Sequence, residues 1–329
     1  MFDIPIVLFI FKRKSTLSKI VSKIAEVKPK KLYIIADGGR NQAETKEVNE
    51  CRALVESLIN WDCEIIKNYA EDNRGVYKNI GEGASWVFGR EEKAIFIEDD
   101  NLPETSFFHY AKELLEKYEN EESVLWVCGT NYFTETESEY SYYFTKHLLP
   151  CGWASWSKKF LKYYDGELKS FKNLKKRIAF LKNYRYKFLG FYQLQSIKNE
   201  YFRKKRGDRF RSWDFQMIWS IQSNGLFGIA PTRNQITNIG VDDLSIHGGT
   251  SKNNIMTDRF CEVESKALDF PLKHPKKIEI NKTFEKRLGN IICPPKKAAI
   301  RKIISSKIKH LFGVDSSNLL KSVLQKREQ

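Results

Sequence analysis

The stretch Ala94-Ile95-Phe96-Ile97-Glu98-Asp99-Asp100-Asn101-Leu102-Pro103 reads as a short apolar strand that ends in three consecutive carboxylates. An unbroken apolar run suits a strand covered on both faces, as in a parallel sheet, better than one with a wet face. Carboxylates at a strand end are hard oxygen donors, the kind that Mn2+ or Mg2+ takes together with substrate phosphates. A plainer role fits the same residues. Asp100 or Asn101 can open a turn before Pro103 and cap a helix that begins near Glu104 or Thr105.

Working outward, the first 130 residues alternate strand and helix. The run Ile4–Phe11 precedes a helical stretch with Leu17, Ile20, Val21 and Ile24 on one face. A strand over Leu32–Ala36 ends at Asp37-Gly38-Gly39, and a second helix buries Val48, Cys51, Leu54, Val55 and Leu58. Strand Cys63–Lys67, helix Val76–Phe88, the opening strand, helix Phe107–Tyr118 and strand Val124–Cys128 follow. Repeated strand–helix–strand units with apolar strands predict a parallel sheet with helices on both faces. There is no internal repeat and no low-complexity linker, which favours one α/β domain with elaborations.

In such sheets ligands bind beyond the carboxyl ends of the strands. Lys12-Arg13, Asp37-Gly38-Gly39 and Glu98-Asp99-Asp100 should therefore share one edge. No G-x-G-x-x-G follows the first strand and no G-x-x-x-x-G-K-[ST] occurs, so dinucleotide and P-loop readings are poor.

The ordered set of short motifs resembles the GT-A-fold glycosyltransferases, bacterial family 2-like, of the N-acetylglucosaminyltransferase I type. Ile95–Asp100 resembles their metal-binding "DXD" region in its E-D-D form. Phe9–Arg13 resembles the first strand and its arginine, Ile35–Gly38 the second strand and its base-contacting aspartate. Asn73-Arg74-Gly75 resembles the segment that closes over the nucleotide, and Pro150–Ala154 the acceptor-side glycine–aromatic loop. Trp213-Asp214 resembles the catalytic-base motif, and Ser245-Ile246-His247-Gly248 the late histidine–glycine segment. The set spans residues 4 to 250.

The resemblance implies a Rossmann-like GT-A sheet, a nucleotide-sugar donor (a UDP-sugar before others), Mn2+ or Mg2+, and transfer with inversion. It makes Asp100 the direct metal ligand, with His247 at the metal or diphosphate. Glu98 and Asp99 would orient the ribose and neighbouring ligands, Asp37 would accept from the base edge, and Arg13, Asn73 and Arg74 would contact the nucleotide. Asp214 would be the general base, with Gly152 and Trp153 on the acceptor side. Bacterial surface-glycan assembly (lipopolysaccharide, capsule or glycoconjugate) is the implied setting. Each residue also has a bland reading: Asp37 as a turn-former before Gly-Gly, Arg13 as a solvated charge, Asp214 as a helix N-cap, His247 as a satisfied polar group. Trp153 and Trp156 can equally be core. Trp213 and Phe215 flank Asp214 where many family members carry a second acid, so a supporting carboxylate is unassigned.

The chain has 329 residues, 41% of them hydrophobic, enough for a sizeable core. Its longest apolar run, Ile4–Phe11, is far short of the roughly 20 residues that span a bilayer. That run lacks the flanks of a signal peptide. Six scattered cysteines without a C-x-x-C pair suggest reduced thiols and a cytoplasmic chain. The basic amphipathic tail, residues 296–329, suits a chain peripheral on the inner face of a bacterial membrane.

Charge is concentrated. Residues 158–211 carry 18 Lys+Arg against 4 Asp+Glu, and residues 296–329 carry 9 against 2. Together they exceed the chain's net +15, so the remainder is acidic on balance. Residues 1–130 are read as the nucleotide-sugar-binding half and 131–255 as the acceptor-binding and catalytic half of the same domain. The basic–aromatic insertion 158–211 lies within the second half, and 256–329 is a C-terminal extension. The insertion fits an anionic acceptor such as a lipid-linked glycan, a solvated helical hairpin, or nucleic acid, although no nucleic-acid partner is expected. In the extension, Ile300, Ile303, Ile304, Ile308, Leu311 and Phe312 share a helical face amid Lys and Arg. That pattern suits an anionic membrane surface, the core, or a second subunit. Two other functions compete. A sugar-1-phosphate nucleotidyltransferase needs a glycine-rich basic loop after its first strand, which Lys12-Arg13-Lys14-Ser15 lacks. A nucleic-acid-binding protein leaves the acidic triplet unexplained.

Overall fold

The computed structural model describes residues 1–241 and 260–311. Strand β1 (Ile6–Ile10), helix α1 (Lys14–Val27), β2 (Lys31–Ala36), α2 (Gln42–Leu58) and β3 (Glu64–Tyr69) open the chain. A π-helical turn, Tyr77–Glu82, leads into α3 (Gly83–Phe88), followed by β4 (Lys93–Glu98), β5 (Asn101–Pro103), α4 (Thr105–Lys117) and β6 (Val124–Cys128). Then come β7 (Tyr142–Thr145), β8 (Trp153–Trp156), α5 (Ser157–Tyr163), α6 (Leu174–Asn183) and α7 (Lys187–Lys205). Helix α8 (Asp214–Asn224), β9 (Phe227–Pro231) and β10 (Ile236–Asn238) precede the C-terminal helices α9 (Lys282–Ile292) and α10 (Lys296–Leu311).

Eight strands form one sheet in the order β3-β2-β1-β4-β8-β6-β9-β7. Strands β3, β2, β1 and β4 are parallel, and β6 and β9 run the same way. Strands β8 and β7 run in reverse. The fold is the α/β, Rossmann-like, mainly parallel sheet flanked by helices that the sequence implied. One feature was not foreseen. The segment around Trp153, expected as a loop, is the antiparallel strand β8, wedged between β4 and β6. Four residues are too few to show a period, and only their partners on both sides define them as a strand.

The faces of β1 show why both layers form. Ile6, Leu8 and Ile10 pack with Leu17, Ile20 and Val21 of α1 and with Phe107 and Leu114 of α4. Val7 and Phe9 point the other way, toward Ala84 and Val87 of α3 and Phe160 of α5. Successive side chains alternate across a strand, so a fully apolar run feeds two cores at once. No residue of β1 exceeds 3% exposure, and each large side chain so buried contributes about 1.5–3 kcal/mol.

Candidate active site

Parallel register brings distant residues together. Phe9 of β1 lies opposite Glu98 of β4, and Ile10 opposite Ala36 of β2. Arg13, Asp37 and Asp99-Asp100 therefore leave three adjacent strands at the same edge, as expected. Strand β5 continues from Asp100 and pairs with β10 in a separate two-stranded sheet. The backbone N–H of Ile239 donates to the Asp100 carbonyl at 2.8 Å. A Cβ on Gly240 would come within 2.5 Å of Asp100 Oδ2 and 2.9 Å of Arg13 Nη1. A side chain there would have to displace the Arg13–Asp100 pair. The described chain thus leads up to the triplet just before the stretch containing His247, which itself lies outside the described residues.

The three acids do different work. Asp99 Oδ2 accepts from Phe11 N at 2.9 Å, and its carbonyl accepts from the Thr16 hydroxyl, so Asp99 ties β4 to the β1–α1 turn. Arg13 Nη1 donates to Asp100 Oδ2 at 2.7 Å and stands 3.7 Å from Asp99 Oδ1. Burial pushes the Glu98 carboxyl well above its ordinary range, and the charges of Asp100, Asp99 and Asp214 push it further, while Arg13 opposes them. The Asp214 carboxylate, from more than a hundred residues downstream, thus lies near enough for its charge to act on Glu98. Beside Asp100, the Asn101 amide is buried, and neither of its polar atoms has a partner among the described residues.

Asp214 is the first residue of α8. Its backbone neighbourhood is capped by another side chain: Ser212 Oγ accepts from Phe215 N at 3.1 Å and donates to Asp214 Oδ1. The capping role anticipated for Asp214 belongs to Ser212. The Tyr164 hydroxyl donates to the Trp213 carbonyl at 3.3 Å. On α7, Glu200 Oε2 accepts from Arg211 N at 2.8 Å. Burial raises the Glu200 pKa; the Arg211 backbone bond opposes this, and Asp214 adds to the rise. Glu200 is thus a carboxylate near Asp214 that the sequence did not single out. It sits in a basic helical run with no strand end or turn to flag it, so only folding could identify it.

The Asp37 loop is self-contained. Asp37 accepts from Gly38 N, Asn73 Nδ2, Arg74 N and Gly75 N at 2.7–3.1 Å. A carboxylate has about four acceptor sites, so Asp37 is filled by the loop it closes. Arg74 turns inward, its guanidinium donating to Asn68 Oδ1 and Asn79 Oδ1. Asn73 also donates to the Gly38 carbonyl, and its own carbonyl accepts from Arg209 at 2.9 Å.

The acceptor-side residues need a correction. Trp153 is 1% exposed and stacks between Phe96 at 3.9 Å and Trp126 at 4.1 Å. It has no face left for a sugar. Trp156 is also core, its Nε1 donating to the Leu115 carbonyl at 2.8 Å. Gly152 is buried with φ +59°, and a Cβ there would meet Ile236 Cδ1 at 2.5 Å. It makes the turn into β8 and lets β10 approach. Many aromatics of the basic insertion (Phe160, Phe171, Phe180, Tyr184, Phe210) are likewise buried.

Among the described residues, no group of three or more His, Cys, Asp or Glu side chains is arranged to hold a metal ion. No family model matches the chain, and no curated protein matches it in sequence. Among solved structures it is similar to the mannosyltransferase PcManGT from Pyrobaculum calidifontis in complex with GDP-Man and Mn2+. That likeness has 11% identity over 67% of this chain and 68% of the other, with a TM-score of 0.37. A UDP-glucose pyrophosphorylase complexed with UDP-glucose matches at 14% identity over 72% and 94%, with a TM-score of 0.37. S. aureus TarS 1-349 matches at 12% over 52% and 52%, with a TM-score of 0.33. At TM-scores this low the likenesses carry no argument about function, and the chain's own residues must supply it.

Proposed function

We propose that the chain is a glycosyltransferase that moves a sugar from a nucleotide-sugar donor to an acceptor hydroxyl, with inversion and with Mn2+ or Mg2+. The observation that carries this reading is the Glu98-Asp99-Asp100 triplet at the carboxyl edge of the sheet, paired with Arg13 and within reach of the Asp214 charge. Four acids against Arg13 leave an excess of negative charge that suits a cation, and the unpartnered Asn101 amide beside them suits a bound polar group. Asp100 would hold the metal together with diphosphate oxygens. When bound, the metal offsets charge on the departing diphosphate. Asp214 takes the acceptor hydroxyl's proton, and Glu200 and Ser212 keep the segment before α8 in place for it. The Asp37-clamped loop 73–75 lines the nucleotide side. A glycan or lipid-linked glycan acceptor fits the basic segment 158–211 in charge.

The nucleotidyltransferase reading needs free cations in the first turn to grip a triphosphate. Here Lys12 is paired with Glu44 and Lys14 with Glu50, while Arg13 holds Asp100. That arrangement favours glycosyl transfer. The test is a thermal-shift panel of nucleoside diphosphates and their sugars, with and without Mn2+, since ligands of the folded state raise its melting temperature. A metal-dependent shift with a nucleotide sugar supports the proposal. Pyrophosphate release from a nucleoside triphosphate and a sugar 1-phosphate would replace it with the other activity.

A further inference from the structure

Helix α10 is docked on one side and bare on the other. Asn199 Nδ2 of α7 donates to Ser306 Oγ at 3.1 Å, and Lys302 Nζ donates to the Tyr192 hydroxyl at 3.0 Å. Ala299 and Ser306 are buried against the body, and Ile303 is half-buried. The outward side is apolar all the same. Ile300, Ile304 and Ile308 are 46%, 52% and 36% exposed, and their spacing of four aligns them in one stripe. By helical geometry Lys296, Lys297, Arg301 and Lys307 fall on the same half of the helix, and all four are exposed. No Asp or Glu occurs anywhere in α10.

We propose that this face of α10 lies on a bilayer surface rich in anionic lipid. Water is a poor partner for three aligned isoleucines. A lipid interface takes such a stripe into the acyl boundary, with the flanking cations at the headgroups. Charge decides between occupants. A second copy of the same face would set cations against cations, whereas an anionic bilayer is complementary. Among the described residues no helix is long and apolar enough to cross a membrane, so the contact is one of lying on the surface. On the neighbouring α7, Phe191 is 56% exposed, and Lys187 and Lys205 are exposed as well. The inference does not depend on the catalytic reading.

The test is sedimentation of the full chain with vesicles of equal parts phosphatidylglycerol and phosphatidylcholine, against phosphatidylcholine alone. Wild type should bind the anionic vesicles and bind less, though still measurably, in high salt. The triple variant Ile300→Ser, Ile304→Ser, Ile308→Ser should bind about tenfold more weakly or worse, with its melting temperature unchanged. Lys297→Gln with Arg301→Gln and Lys307→Gln should abolish the preference for anionic lipid. Absence of wild-type binding, or undiminished binding by the serine variant, would overturn the proposal. So would a serine variant that melts much earlier, which would make the stripe packing. A change from dimer to monomer in light scattering would make it an interface between copies.

Discussion

At the scale of single residues, one step of sequence separates a cap from a base. Ser212 takes the capping bond to Phe215 N, so the Asp214 carboxylate is not committed to the helix backbone. Asp214→Asn should lower transfer about 10²-fold or more while leaving donor binding intact, as for a lost general base. Kinetics with product NMR check this, and a retained anomeric configuration would remove the assignment. Asp100→Ala should eliminate metal-dependent nucleotide stabilisation without lowering the melting temperature in the absence of ligand. Trp153→Ala separates core from acceptor site. As a core residue Trp153 should cost about 3–5 kcal/mol on truncation, read by denaturant unfolding. A variant of native stability with a raised acceptor KM would restore the sugar-stacking role.

At the scale of elements, α7 and α9 each hold a neighbour by one buried acid. Glu200 binds the segment that leads into α8, so Glu200→Ala should lower kcat about tenfold to a hundredfold with donor affinity kept, because small misplacements of a base are costly. Glu200→Gln, which can still accept from Arg211 N, should restore most of it. A loss of donor binding in both variants would mean a general structural role instead. In α9, Glu285 accepts from Thr145 Oγ1 at 2.6 Å and from Lys146 N at 3.2 Å, and stands 3.6 Å from His147 Nε2. Burial lowers the His147 pKa from its ordinary 6.5, with Glu285 opposing. A histidine whose folded pKa is depressed favours folding in its neutral form. Stability should therefore fall as pH drops below 6.5 toward the lowered value. Acid titration of the melting temperature checks it, and His147→Gln should flatten that slope.

For the molecule as a whole, the sheet stores an electrostatic cost at its carboxyl edge. Glu98 has a folded pKa well above the ordinary 4.5. The sign is opposite to that for His147: stability is present below 4.5 and is lost as pH rises through the raised value. Added Mn2+ should restore the lost stability and release a proton, because a cation among the carboxylates favours their charged forms. Unfolding curves across pH with and without Mn2+ measure this, and Glu98→Gln should show neither the loss nor the rescue.

The alternation of apolar strands and amphipathic helices in residues 4–128 determined the sheet and its edge by itself. Local period and strand ends carry that information, and a parallel register leaves residues such as Arg13 and Asp100 little choice of place. Tertiary structure alone decided the rest. Strand β8 exists because β4 and β6 pair with Trp153–Trp156 from both sides, which turned a presumed sugar platform into a stacked core. Glu200 became Asp214's neighbour through packing of α7 against α8, a contact between residues that no local pattern links. Asp37 was filled because the loop 73–75 folds back on it. In α10 the sequence placed Ile303 with the other isoleucines, yet docking on α7 turned Ile303 inward and left Ile300, Ile304 and Ile308 outside. A single amphipathic pattern states that a helix has an apolar side. Which of its residues are covered depends on the partner, and the partner is supplied by the fold.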